Sequence, residues 1–305
     1  MVDIIVIGAG PAGMTAALNC LRYGKSVLVL ESENFGGQIA FSPRVENFPT
    51  VQQAAGSELM DKLYEQILAW GAQVELEKAE KIEKTSFGFK VVTDYGEHEC
   101  LSVIIASGVK HREIGVPREE ELVGNGVSYC ALCDGAFYKD EDVAVIGDAN
   151  TALQYALLLA GYCKTVHVCT LFDKFFGDKA LVDRILEKQK DNIRVYHNIN
   201  LKAFCGEDEL TGLDFENTVS EKDFHLDCKA AFICVGQIPN NGAFADIVEL
   251  DRNGYIVAGE DCLTSCPGIF VAGDCRTKKV RQLVTASADG SVSALAACNY
   301  VDSLG

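Results

Sequence analysis

The sequence predicts an α/β protein built from two Rossmann-like, dinucleotide-binding-type domains, the second inserted into the first. Three observations predict it. The stretch DIIVIGAGPAGMTAALNCLRYGKSVLVLES, residues 3–32, reads strand, glycine-rich turn, helix, strand. The stretch VAVIGDANTALQYALLLAGYCKTVHVCT, residues 143–170, repeats that layout. Strand-like AAFICVGQIP (230–239) and GIFVAGDC (268–275) then return, so the second copy interrupts the first. The inserted domain is placed at 112–236, and segments 1–111 and 237–305 together form the other. Two crossings between domains make a natural hinge. A chain of 305 residues is long enough for two such cores.

Each element has its reason. Ile4–Ile7 is an apolar run, as a strand buried on both faces of a parallel sheet should be. Gly8, Gly10 and Gly13 follow in G-x-G-x-x-G spacing. Gly8 makes the tight turn, Gly10 lets backbone approach a pyrophosphate, and Gly13 lets helix pack on strand. The helix N-terminus then faces the phosphates. Glu31 closes the next strand, where it can accept from ribose hydroxyls. The glycines alone are a weak signal; with strand, helix and acid in place they read as a dinucleotide site. A loop, FGGQIAFSPRVENFPT (35–50), follows, then a helix around Gly56–Trp70 and a β-rich stretch to about Val103. SVIIASG (102–108) is a strand ending in a small-residue turn.

Composition removes whole classes of function. A net charge of −17 makes the chain a poor general binder of nucleic acid or acidic membranes. No cleavable basic-apolar segment precedes the first strand, and no apolar run approaches the roughly 20 residues that span a bilayer. A cytoplasmic protein is expected. Thirteen cysteines without an export signal argue against a disulfide framework. Most are expected to be buried small hydrophobes. No metal site is expected, because there is no second CxxC and no histidine pair at ligand spacing.

One cysteine pair stands apart. SYCALCDG (128–135) carries Cys130 and Cys133 two residues apart at the start of a helix. That spacing suits a disulfide that opens and closes, and a helix N-terminus lowers a thiolate pKa. Asp134 sits beside the pair as a proton donor or acceptor. Half of a zinc knuckle, or two unpaired core thiols, are the alternatives; the attached nucleotide-type fold favours redox work. Near the end, a strand runs into Gly273-Asp274 ahead of a helix. Asp274 can hold a ribityl hydroxyl or cap that helix.

Together GAGPAG (8–13), GGQI (36–39), VENFP (45–49), ASG (106–108), GVSYCALCDG (126–135), CVGQIPN (234–240) and VAGDCRTKKVRQLVTASADG (271–290) resemble a low-molecular-weight thioredoxin reductase along nearly the whole chain. The resemblance implies a thioredoxin reductase-like fold whose outer domain binds FAD and whose inserted domain carries the disulfide and an NADPH site. It implies that electrons pass from FAD to Cys130–Cys133 and on to thioredoxin. Cys133 would face the flavin, Cys130 would attack the thioredoxin disulfide, and Asp134 would manage protons. Gly8, Gly10, Ala12, Gly13, Glu31, Gly37, Gln38, Asn47, Asp274, Arg281 and Gln282 fall on its FAD-contacting positions. A homodimer is expected on the same ground.

The second turn departs from that pattern. It reads Gly147-Asp148-Ala149-Asn150-Thr151-Ala152, with a methyl where backbone must meet pyrophosphate. Thr170, Leu171, Phe172 and Phe176 stand where NADPH-using members carry the basic residues that pair with the 2′-phosphate. Lys174 survives nearby but does not replace bidentate guanidinium pairs. Each such bond lost is worth ~1.5–3 kcal/mol, so the NADPH site reads as degenerate. These features resemble the clostridial ferredoxin-dependent flavin thioredoxin reductases, which implies ferredoxin as donor. A basic docking patch is expected at Arg276, Lys278, Lys279 and Arg281, or at Lys110–Arg112. The aromatic run LFDKFF (171–176) is expected to pack in the core rather than close the nucleotide groove. The rivals are an NADPH-dependent thioredoxin reductase, an NADPH-independent reductase with another donor, and a non-enzymatic flavin and CxxC sensor.

Overall fold

A computed structural model describes residues 1–305 except 43, 44, 46 and 190. Part of the loop expected over 35–50, including Glu46 of the VENFP stretch, thus lies outside the described residues. In chain order the elements are β1 (Val2–Ile7), α1 (Pro11–Arg22), β2 (Val27–Glu31), α2 (Gly56–Ala69), β3 (Gln73–Leu76), β4 (Ala79–Lys84), β5 (Phe89–Thr93) and β6 (Glu97–Ile105). Then come β7 (Val109–His111), β8 (Val127–Ser128), α3 (Ala131–Asp134), β9 (Asp142–Ile146), α4 (Asn150–Leu159), β10 (Thr165–Cys169), α5 (Lys179–Lys188) and β11 (Ile193–Tyr196). A meander of β12 (Ile199–Cys205), β13 (Gly212–Asn217) and β14 (Lys222–Asp227) leads to β15 (Ala230–Ile233). β16 (Gln237–Pro239), β17 (Ile269–Val271) and α6 (Leu283–Asp302) complete the chain. The chain divides into two compact units, Met1–Lys110 with Ile238–Gly305, and His111–Gln237.

In the first unit β3, β2, β1 and β6 lie side by side, all parallel. β6 is long enough to serve two partners on its other edge. Its first half pairs antiparallel with β5 and its second half parallel with β17. A strand in such a sheet has two covered faces, and β1 meets that condition by alternation. Ile4 and Val6 join the core under α1 and α6, while Ile5 and Ile7 join the core on the opposite face. All four are buried. α6 lies directly on α1 because Gly290 has no side chain: a Cβ there would stand 2.3 Å from the Ala12 carbonyl oxygen.

The second unit repeats the plan. Its parallel sheet runs β11, β10, β9, β15, β8. β9 alternates as β1 does, with Ala144 and Ile146 on one core and Val143 and Val145 on the other. The antiparallel sheet β12–β13–β14 buries Phe204, Leu213 and Leu226 against this unit's core. Both units are α/β layers of dinucleotide-binding type, the second lying between the two chain segments of the first. Among the described residues, no helix is long and apolar enough to cross a membrane.

Candidate functional site

In the first unit the glycine-rich turn builds a cradle. Gly8 takes a positive φ of 106°, and a Cβ there would stand 2.3 Å from the Ala106 carbonyl oxygen at the end of β6. Gly13 is equally confined, since its Cβ would meet the Gly8 carbonyl oxygen at 1.8 Å. Gly10 differs. It precedes α1 in an extended conformation, and an added Cβ would meet only the Gly37 Cα, at 3.8 Å. The space above Gly10 is open, with the first-turn N–H groups of α1 behind it and no side-chain cap on them. The Glu31 carboxylate secures the turn, accepting from Ala9 N–H at 2.8 Å and from the N–H groups of Ser32 and Glu33.

The turn after β17 meets the same place. A Cβ on Gly273 would stand 2.8 Å from the Ala12 methyl, so the 273–275 turn rests on the start of α1. Asp274 is therefore held there, and burial pushes its carboxyl up to about 6. Its Oδ1 is buried with no hydrogen-bond partner among the described residues. Arg281 donates to the Asp274 carbonyl at 3.3 Å, with its guanidinium 4.4 Å from the Tyr255 ring centroid. Gln282 accepts from Asn47 Nδ2 at 3.2 Å, and Gln38 donates to the Val109 carbonyl. A pyrophosphate needs the open cradle at Gly10, and a ribityl hydroxyl needs an acceptor such as Asp274 Oδ1. The residues present fit FAD on both counts.

One expectation fails here. Arg276 and Lys278 do not form a docking patch. Arg276 is 1 % exposed and makes a two-pronged contact with Asp289, at 2.9 and 2.8 Å. Lys278 reaches the same carboxylate at 2.8 Å, with its side chain 5 % exposed. Burial would raise the Asp289 carboxyl, but these two cations hold it below its ordinary value. The cluster also ties α6 to the Gly273 N–H through Asp289 Oδ2. Lys279 alone of the three is exposed. In the other expected patch, Lys110 pairs with Glu33 and His111 stacks on Tyr129 at 4.7 Å.

In the second unit Cys130 and Cys133 form a disulfide, with Cα atoms 5.3 Å apart. The helix that follows is shorter than the sequence suggests: α3 is a single turn that tightens into a 3₁₀ turn over Gly135–Tyr138. A long-helix dipole is therefore absent, and local donors do its work. The N–H groups of Cys133 and Asp134 both point at the Cys130 carbonyl, and Cys133 N–H also lies 3.2 Å from Cys130 Sγ. Ser128, which sequence reasoning missed, links the pair to its acid. Its Oγ accepts from Cys130 N–H at 3.0 Å and donates to Asp134 Oδ2 at 2.5 Å. Burial raises the Asp134 carboxyl above its ordinary value, and its Oδ1 has no partner among the described residues.

The second glycine turn differs at its third residue and in what its helix start is tied to. Gly147 keeps the role of Gly8, with φ 151° and a Cβ that would stand 2.6 Å from the Cys234 carbonyl oxygen. Ala149 keeps the extended conformation of Gly10 but adds a methyl. The segment after β10 folds onto it. Phe176 N–H donates to the Asp148 carbonyl at 2.8 Å. Asp178 N–H donates to Asn150 Oδ1 at 2.6 Å, while Asn150 Nδ2 donates back to Asp178 Oδ2 at 3.0 Å. The aromatic run thus covers the turn instead of packing in the core. Only Phe175 is partly buried; Phe172 and Phe176 are exposed and meet edge to face at 5.2 Å.

The comparisons agree with this arrangement of two nucleotide-type turns and one CxxC disulfide. The family model for pyridine nucleotide-disulphide oxidoreductases matches residues 2–290. The thioredoxin reductase of Treponema pallidum is 37% identical over 303 residues, covering 99% of this chain and 98% of that protein. A 34.2 kDa protein in the rubredoxin operon of Clostridium pasteurianum is 34% identical, covering 98% and 97%. The crystal structure of thioredoxin reductase from Streptococcus pyogenes MGAS5005 is similar with a TM-score of 0.95 at 35% identity, covering 99% of both chains. The chain belongs to the pyridine nucleotide-disulphide oxidoreductase family, and within it to the low-molecular-weight thioredoxin reductases, which are FAD-dependent flavoprotein oxidoreductases.

Proposed function

We propose that this enzyme reduces thioredoxin through Cys130–Cys133 with electrons from reduced ferredoxin rather than NADPH. The observation that carries the donor assignment is the covered turn of the second unit. Ala149 brings a methyl to the pyrophosphate position, Asp178 is tied to the Asn150 side chain beside it, and Leu171 and Phe172 offer no charge to a 2′-phosphate. Energetics favour the transfer. A ferredoxin near about −400 mV lies below a thioredoxin near about −270 mV, and two electrons over that gap release about 6 kcal/mol.

In this proposal FAD, held by Gly8, Gly10, Ala12, Gly13, Glu31, Gly37, Gln38, Asn47, Asp274, Arg281 and Gln282, supplies storage for two electrons that arrive singly. The protein's own steps are thiol chemistry. Two electrons and two protons open the Cys130–Cys133 bond. The Cys130 thiolate attacks the thioredoxin disulfide, one thioredoxin sulfur leaves as thiolate, and Cys133 then displaces the mixed disulfide. Asp134 is suited to move the protons: its carboxyl is raised by burial, Oδ1 is free to accept, and Oδ2 is fixed through Ser128 to the Cys130 backbone. We further propose a homodimer acting in a reducing, cytoplasmic setting.

The test is an anaerobic flavin spectrum of the purified protein, mixed with NADPH and, separately, with enzymatically reduced ferredoxin. Bleaching by ferredoxin alone is the expected result. Rapid bleaching by micromolar NADPH would overturn the donor assignment and leave an NADPH-dependent reductase. Cys130→Ser is expected to keep flavin reduction and lose thioredoxin reduction; retained turnover would sink the role given to Cys130.

A further inference from the structure

The β12–β13–β14 sheet carries a set of donors on the face turned away from its core. Phe204, Leu213 and Leu226 form one cross-strand row and point into the core. Side chains alternate along a strand, so the rows on either side of it point outward. Those rows are Cys205–Gly212–Asp227 and Ala203–Asp214–His225. Cys205, Asp214 and His225 each present a ligating atom, and these atoms lie within 4.8 Å of one another. The His225 ring lies over Gly212: a Cβ there would stand 2.4 Å from Nε2, so glycine is what seats the imidazole among its neighbours. Asp214 Oδ1 stands 2.6 Å from Nδ1 and Asp227 Oδ1 stands 3.4 Å from Nε2.

We propose that this face is a binding site for a divalent cation of borderline softness, Zn²⁺ above all. A thiolate with an imidazole and carboxylates is a zinc donor set, with expected bonds of about 2.3 Å to sulfur and about 2.0–2.2 Å to nitrogen and oxygen. Those bonds put neighbouring ligand atoms on one ion roughly 3.3–3.8 Å apart in a tetrahedron, within reach of the present spacings by side-chain rotation alone. Each ring nitrogen of His225 has its own carboxylate. One nitrogen binds the ion, and the carboxylate on the other holds its N–H, fixing the tautomer as metal-bound histidines require. A His–Asp ion pair would explain Asp214, His225 and Asp227. It does not explain a thiol beside them, or a glycine leaving room for the ring at the first residue of β13. The strands also hold the donors on rigid backbone, which lowers the ordering cost of binding.

The test uses FAD-loaded protein with Cys130–Cys133 oxidised, so that the redox pair offers no thiolate. Zn²⁺ is titrated calorimetrically, and Co²⁺ is added as a spectroscopic probe whose d–d bands lie to the red of flavin absorption. The expected result is one ion per chain, with tetrahedral Co²⁺ bands that vanish in Cys205→Ser and in His225→Gln. Asp214→Asn and Asp227→Asn should each weaken binding, the one on the non-ligating nitrogen by about 10-fold. Unchanged flavin absorbance in His225→Gln, an exposed position, checks that the fold is intact. Absence of binding at about 100 µM Zn²⁺, well above the micromolar range the donor set predicts, would overturn the site. So would bands that survive in Cys205→Ser, which would place the ion on other cysteines.

Discussion

Gly10 and Ala149 occupy the same place in two copies of one turn. Both directly precede the helix of a βαβ unit, both are extended, and both follow a left-handed glycine pressed against the end of a neighbouring strand. What differs is what lies above. In both copies the following segment donates to the middle residue of the turn, Gly36 N–H to the Ala9 carbonyl at 2.9 Å and Phe176 N–H to the Asp148 carbonyl at 2.8 Å; over Gly10 there is open space bounded by the Gly37 backbone, whereas Ala149 adds a methyl and Asn150 beside it is tied through its side chain to Asp178. The glycine that shapes the turn survives in both copies, because losing it would break the strand contact. The glycine that only admits a ligand survives in one. Fold and ligand thus place separable demands on neighbouring residues, and under the proposed function the second turn answers only the first.

The largest test of that separation is Gly10→Ala, which writes the second turn into the first. The new Cβ meets nothing closer than 3.8 Å, so the fold should hold. The methyl enters the pyrophosphate path, so FAD affinity should fall on the order of 10²–10³-fold. Flavin content after dialysis and the melting temperature of the apoprotein measure the two parts. A protein that keeps its flavin would remove the main argument from Ala149. The reverse change is Ala149→Gly with Leu171→Arg and Phe172→Arg. Ala149→Gly alone should change NADPH affinity little, because Asn150 and Asp178 still hold the loop down. Adding two guanidinium groups should tighten binding by about 100-fold or more, at ~1.5–3 kcal/mol each. Fluorescence titration of NADPH reads both variants.

Much of this contrast is legible in the sequence, and the limits are physical. Periodicity and glycine spacing reveal both βαβ units, because those elements are set by local backbone and burial. The aromatic run 171–176 is misread because hydrophobicity suggests core. Its placement depends instead on backbone bonds to Asp148 and Asn150, which no composition encodes. Arg276 and Lys278 are misread for the converse reason. Charge suggests surface, yet Asp289, nearly two turns into α6, supplies a buried counter-ion that only the packing of α6 reveals. Ser128 lies in the quoted CxxC stretch but its spacing signals no role, and the Cys205–Asp214–His225 set carries no motif at all. The first acts through one hydroxyl, and the second is assembled across three strands.

Asp274 sharpens the comparison by pH. Its ordinary carboxyl pKa is about 3.9, and burial raises it to about 6 in the folded apoprotein. Between those values the folded state holds a proton that the unfolded state has lost. Apoprotein stability should therefore fall as pH rises from about 4 to 6, by at most ~3 kcal/mol for that shift. A flavin hydroxyl donating to Oδ1 favours the carboxylate, so FAD affinity should rise over the same window. Asp274→Asn should flatten both profiles. Chemical denaturation and FAD titration across about pH 3.5–7.5, a range of ~4 units that spans the window, separate this from general acid loss.

The smallest effect tests the cover itself. Asp178→Ala removes the hydrogen bond that Asn150 Nδ2 donates to the Asp178 carboxylate and keeps the one from Asp178 N–H to Asn150 Oδ1; the pair is solvent-exposed. A net loss of about 1 kcal/mol is expected. If the segment is a closed cover in its own right, that loss appears as local opening rather than global unfolding. The Phe176 amide, bonded to the Asp148 carbonyl, should then exchange its hydrogen about fivefold faster, while amides in β9 and β10 keep their protection. Equal acceleration throughout the second unit would mean that the segment is part of the core's cooperative fold. The proposed exclusion of NADPH would then rest on the Ala149 methyl and on the uncharged Leu171 and Phe172.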